Sequence, residues 1–471
     1  MTYSIIAVII LGILLFGIVY SIYCKTYEYL FVSIYTLLPD YFSFEINEHL
    51  PLFSVSRIML LILLCYTLLR PQTRKALCNY RTFFVPFSLP SKLVIGYVVM
   101  RIISNLYYVT TYNSSVKSIL SVLFEEGMML LLLGVQFSTY EKIERAIRSI
   151  ITVSGFVFAL AIYESISRFN VGSLFYLAQR HLLDEYYIRL GLLRADLTFG
   201  LPSFFATYCV VMVPLILYLY EKNYEKRYLL ILTLDVFAVI HTGSRAQLLF
   251  LGFMVILMFL FQKKESKLHY VKVYGQLIAI SLCIVILLSA VSSHLRYFYI
   301  GTGKSLLNEV GFHFDLDEDA PTGVAGFGDN QKGTSSRLWQ LSGITYTLNK
   351  NPLFGLGAKA QNRGDVHYLY KPGKWVPAYT YDVAYVGIIC DGGLTGLAAF
   401  CMLYLAAFLF LFKNTNKLSK ALLFALLSYL LCLLSIGTMD HFNWLLFSLI
   451  YANQWIAADT KNLPNHTTAR S

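Results

Sequence analysis

The sequence predicts an all-α, polytopic integral membrane protein, and three observations carry that reading. Of 471 residues, 57% are hydrophobic and 14% charged, a composition outside that of a soluble domain. Apolar runs of roughly 18 residues or more recur from end to end, each sufficient to cross a hydrocarbon core about 30 Å thick. The runs are continuous and not alternating, so helices, not barrel strands, satisfy the backbone in lipid.

In chain order, the first run is SIIAVIILGILLFGIVYSIY (4–23). It has no basic residue before it and no small-residue cleavage site after it, and is expected to be a retained span. Further spans are expected near 28–46, 52–69, 86–108, 117–137, 148–164, 201–220, 228–241, 246–262, 273–293, 383–412, 421–437 and 442–457, giving 12–13 in all. Pro39, Asp40 and Glu45 make 28–46 a half-inserted candidate, and DGGLTG (391–396) is expected to break 383–412.

The net charge of +11 is carried largely by short connections: RPQTRKALCNYR (70–81), EKNYEKR (221–227), KKESKLHYVK (263–272) and KNTNKLSK (413–420). Basic loops of this kind face the cytoplasm, which also places the C-terminus there. No basic stripe with interleaved aromatics is visible, which excludes a nucleic-acid partner. The eight cysteines lie in or beside apolar runs with no CxxC, as small hydrophobes do. DLDED (315–319) lacks the glycine and closing glutamate of a calcium loop; neither a metal nor a cofactor is expected. The organisation is then 1–164, N-terminal helices; 165–200, a first long connection on the far face; 201–293, central helices; 294–380, a second long connection on that face; and 381–471, C-terminal helices and tail.

Arginines on that far face run against the charge bias. The first connection carries Arg168, Arg180, Arg189 and Arg194, the turn HTGSRA carries Arg245, and the second connection carries Arg296, Arg337 and Arg363. A guanidinium offers a planar fork of donors that matches phosphate oxygens and stays charged at working pH. Several of them at a membrane surface suit a polyprenyl pyrophosphate, and would stabilise it as a leaving group. For Arg168, Arg180, Arg296 and Arg363, pairing with an acid or with lipid phosphate is the simpler expectation. The intramembrane acids Glu125 and Glu126 are expected either to serve function or to pair with Arg57 or Arg101.

Four blocks carry a resemblance: RADLTFGLPSFFATY (194–208), HTGSRAQLLFLG (241–252), SSRLWQLSGITYTLNKNPLFGLG (335–357) and YDVAYVGIICDGGLTG (381–396). In type and order they resemble the O-antigen ligase/polymerase superfamily, and most closely its Wzy-type polymerases. The resemblance implies a GT-C-like glycosyltransferase of the bacterial inner membrane with its active site facing the periplasm, and with both long connections periplasmic. It would act on undecaprenyl-pyrophosphate-linked oligosaccharides, with membrane lipid around it and a chain-length regulator as a candidate partner. Arg194, Arg245 and Arg337 fall on the family's arginines, and Gly355 and Gly357 on the glycines closing the third block. Ten residues separate Arg189 from Gly200, as in polymerases of the group; the matching spacing from Arg337 is not met. Near the start of the last block Asp382, with Tyr385 after it, stands where ligases carry a histidine, and this favours polymerase over ligase.

The expected site is thus Asp382, Arg337 and Arg245 for catalysis, with Arg194, Arg189, Gly355, Gly357, His367 and Tyr385 around the pyrophosphate and sugars. Asp382 is the first candidate for general base and His367 the second. Exposed aromatics (Tyr186, Tyr187, Trp339, Tyr368, Trp375, Tyr379) are candidates for packing or for stacking on sugar. The rival class is a flippase for the same lipid-linked sugar. Polar sequence concentrated in two unequal connections, without repeated halves, favours the enzyme.

Overall fold

The computed structural model describes residues 2–44, 53–78, 89–177, 187–262, 264–316, 320–321, 333–371, 373–413 and 416–462. Arg180, Tyr186 and the acids at 317–319 lie outside them. The fold is 76% helical. Its helices are α1 (Thr2–Tyr23), α2 (Tyr27–Ile34), α3 (Val55–Leu69), α4 (Pro71–Cys78), α5 (Leu89–Leu106), α6 (Asn113–Gln136), α7 (Tyr140–Ser167), α8 (Pro202–Asn223), α9 (Lys226–His241), α10 (Arg245–Leu260), α11 (Lys264–Val291), α12 (Ser293–Glu309), α13 (Gly333–Gln340), α14 (Ser342–Lys350), α15 (Ala384–Phe412), α16 (Lys417–Cys432) and α17 (Asp440–Asn462). Three two-stranded antiparallel ribbons accompany them: β1 (Ser43–Phe44) with β2 (Phe53–Ser54), β3 (Ile188–Arg189) with β4 (Leu192–Leu193), and β5 (His367–Lys371) with β6 (Lys374–Pro377).

The protein is a multi-pass membrane protein. Among the described residues seven helices are long and apolar enough to cross a membrane, or eight if α3 and α4, bent by 96°, count as one span. Helices α9, α10 and α16 have 16 residues each, about 24 Å of rise, short of an upright crossing. Within 28–44, the described part of that stretch, α2 gives way to a 3-10 turn, Tyr35–Leu37, ahead of Pro39, while Glu45 lies outside the described residues.

Burial ranks the helices. The apolar window of α8 is 78% buried, against 22% in α1 and 11% in α11, so α8 is the centre and the other two present apolar side chains to lipid. Helix α6 contains a π-helical turn, Val122–Gly127, which carries both expected acids. Arg57 donates to Glu125 at 2.6 Å, as Ser121 does at 2.9 Å. Tyr97 donates to Glu126 at 2.6 Å, with Arg101 at 3.8 Å. Both acids are thus paired.

The break in α15 falls at Gly393 (φ 59°, ψ −149°), inside the DGGLTG stretch. The loop 351–357 docks there mainly through main chain: Leu356 and Gly357 donate to the carbonyls of Cys390 and Asp391 at 2.8 and 3.0 Å. In return Leu394 and Thr395 donate to those of Pro352 and Leu353 at 2.9 and 3.0 Å.

Candidate active site

The turn between α9 and α10 organises the site. Thr242 follows α9, Gly243 takes φ +60°, and Ser244 is extended before Arg245 opens α10. The Thr242 hydroxyl donates to Val239 O at 2.7 Å and accepts from Ser244 N at 3.1 Å, which fixes the turn from inside. A Cβ on Gly243 would make only ordinary contact, 3.5 Å, with Arg189 Cδ and Arg194 Nε, so it is the positive φ that calls for glycine at this turn.

Both are anchored there. Arg194 Nε donates to Thr242 O at 2.8 Å and its Nη2 to Ser244 Oγ at 3.1 Å, while Arg189 Nη1 donates to Gly243 O at 2.6 Å. Arg189 ends β3, and the β3–β4 ribbon turns at Leu190 and Gly191, both with positive φ, as a two-residue hairpin requires. Arg168 Nη2 donates to Gly191 O at 2.5 Å, a fastening of the ribbon. Arg245 lies at the amino end of a helix, where a cation is disfavoured. Glu309 Oε1, at the far end of α12, stands 2.7 Å from its Nη1.

Electrostatics link the group. Burial first, then Arg189, push Arg194 down to about 9. Burial first, then Arg245, push Arg189 down to about 10, opposed by Glu309. Arg337, in α13, is lowered by burial, against the pull of Asp382 and Glu309. Arg189, Arg194, Arg245 and Arg337 therefore converge on one end of the bundle around Glu309 and Asp382.

Asp382 lies just before α15 and is exposed. Gln340, one helical turn beyond Arg337, clamps it twice: Gln340 Nε2 donates to Asp382 Oδ2 at 2.7 Å, and Asp382 N donates to Gln340 Oε1 at 2.9 Å. One carboxylate is thus held at the mouth of a cationic cluster.

The remaining expected residues lie elsewhere. Gly355 (φ +64°) faces the backbone of Gly393 and Cys390, and Gly357 (φ +88°) the rings of Tyr108 and Tyr112, so both serve the docking of the loop. Tyr385 donates to Leu430 O at 2.9 Å and stands edge-on to Phe400, which ties α15 to α16. His367 meets Asp365 O at 3.3 Å and the Tyr346 ring at 4.9 Å. Arg363 is paired, with Asp365 at 2.6 Å and over the Tyr112 ring. Among the aromatics, Trp339 contacts Tyr370, Trp375 contacts Tyr346, and Tyr368 donates to Thr380 O.

Glu309, Gln340 and the Glu164–Asp196 pair were not among the residues the sequence singled out. Glu164 accepts from Val171 N at 3.1 Å and Leu197 N at 2.9 Å, which holds the loop beyond Arg194 although Leu197 sits at φ +48°. Burial, partly offset by a backbone donor and by Arg194, pushes Asp196 up to about 7. An acid whose folded value lies above its unfolded one, about 4, keeps a proton that the unfolded chain has lost, so stability falls as pH rises between those values. Thermal melts should show Asp196→Asn gaining on the wild type from pH 4 to 7, with a constant gap above. A gap independent of pH would show that Asp196 does not titrate in this way.

A family comparison meets this geometry. Residues 228–401 match the O-antigen ligase family model. The match is consistent with the O-antigen ligase/polymerase superfamily, whose members are membrane glycosyltransferase-like enzymes. The matched segment contains Arg245, Arg337, Gly355, Gly357, His367, Asp382 and Tyr385. Arg189 and Arg194 precede it, yet both hydrogen-bond to its turn at 242–244. The comparison with curated proteins finds no match.

Proposed function

We propose that the protein polymerises undecaprenyl-pyrophosphate-linked oligosaccharide repeat units on the periplasmic side of the inner membrane. The observation that carries this reading is the gathering of Arg189, Arg194, Arg245 and Arg337 beside a carboxylate, Asp382, that Gln340 holds in place. The growing chain is the donor and a new repeat unit the acceptor. Asp382 takes the proton of the acceptor hydroxyl as its oxygen attacks the donor's anomeric carbon. The bond to the pyrophosphate oxygen breaks on the opposite side, which inverts that carbon. The guanidinium groups stabilise the charge growing on the departing lipid pyrophosphate. A chain-length regulator is the expected protein partner.

The same family match also fits a second reading, transfer of finished O antigen to a lipid core. Deleting the gene in its host and running surface glycolipid on a gel separates the two. A single repeat unit on the core, with the ladder gone, is the expected result. A bare core with long lipid-linked polymer inside would mean a ligase, and short units that never reach the periplasm a flippase.

A further inference from the structure

Glu309 is placed against a local rule. It is the last residue of α12, where the carbonyl end of the helix disfavours a carboxylate. Its Oε1 nonetheless sits 2.7 Å from Arg245 Nη1, with 23% of the side chain exposed against 16% for the arginine. Its charge also bears on Arg189 and Arg337. It therefore addresses three of the four arginines, whereas Asp382 bears on Arg337. A carboxylate presents two acceptor oxygens to a guanidinium much as a phosphate does.

We propose that Glu309 is an internal stand-in for the donor's pyrophosphate, holding the arginines in their binding arrangement and yielding Arg245 when lipid pyrophosphate arrives. The inference rests on the pyrophosphate reading above. Placement at a helix end lets the carboxylate leave without breaking an interior turn, and Gly311 beyond it adopts φ +105° with open space around it. After transfer, return of Glu309 to Arg245 competes with the bound lipid pyrophosphate and promotes its release. Glu309 is thus a positioning residue, acting through Arg245.

The test is binding of farnesyl pyrophosphate to the full chain in nanodiscs, together with steady-state kinetics on lipid-linked repeat units. Glu309→Gln keeps the shape and removes the charge. It should bind farnesyl pyrophosphate about tenfold more tightly, as expected when a competing arrangement is relieved, and should lower both KM and kcat because product leaves slowly. If Glu309→Gln does not fold, Glu309→Asp, which shortens the reach to Arg245, should move binding the same way by a smaller factor. Weaker or unchanged binding in a folded variant would overturn the stand-in role and leave Glu309 a structural partner. Failure of the wild type itself to bind farnesyl pyrophosphate would instead overturn the pyrophosphate reading, and the stand-in with it.

Discussion

Asp382→Asn should lower the rate of repeat-unit joining about a hundred- to ten-thousand-fold, the range for removal of a positioned general base, with the protein folded and donor binding retained. The substitution is conservative toward its surroundings. Gln340 Nε2 can still donate to the asparagine oxygen, and the bond from the main-chain N of residue 382 to Gln340 Oε1 is untouched. What is lost is the ability to take a proton from the acceptor hydroxyl. Initial rates in proteoliposomes, measured with excess lipid-linked repeat unit, read the effect directly. Wild-type rates in Asp382→Asn would move the base elsewhere, with His367 the next position to test.

Gly355→Ala should cost about 3–5 kcal/mol of stability, the upper range for a single substitution. The added methyl would lie 2.6 Å from Gly393 N, 2.7 Å from Cys390 O and 2.9 Å from the carbonyl carbon of Asp391. All three are main-chain atoms, so no side chain can swing aside. The residue also sits at φ +64°, strained for any residue with a Cβ. Thermal melts of purified protein measure the loss. Gly252→Ala in α10, with nothing within 4 Å of the new methyl, is the control and should be neutral or slightly stabilising. Equal melting of the two variants would mean that the loop and α15 are not joined as described.

The membrane class was legible because it depends on composition and run length, which are local. The number of spans is less legible, because α9, α10 and α16 are apolar enough to read as spans yet have only 16 residues each in helical form. The arginines stood out because charge bias makes them anomalous on that face, and four of them do come together. Their acidic and amide partners left no such trace. Glu309 lies 64 residues from Arg245, and Gln340 lies 42 from Asp382; nothing in the local pattern marks either. Gly355 and Gly357 were visible as a motif, but the motif alone does not tell a glycine that admits a ligand from one that admits another stretch of chain. Here the close neighbours are Gly393, Cys390 and two tyrosine rings.

The join between 351–357 and the break in α15 is sewn mainly from carbonyls and amides, which every residue except proline supplies alike. A graft at this seam needs glycine at 355 and 393, the Thr395 hydroxyl on Leu353 O, and Asn351, whose side chain meets Phe354 N and Tyr108. Farther out, a grafted second connection must keep Gln340, whose two hydrogen bonds hold the carboxylate at 382 in register with the helix that follows it.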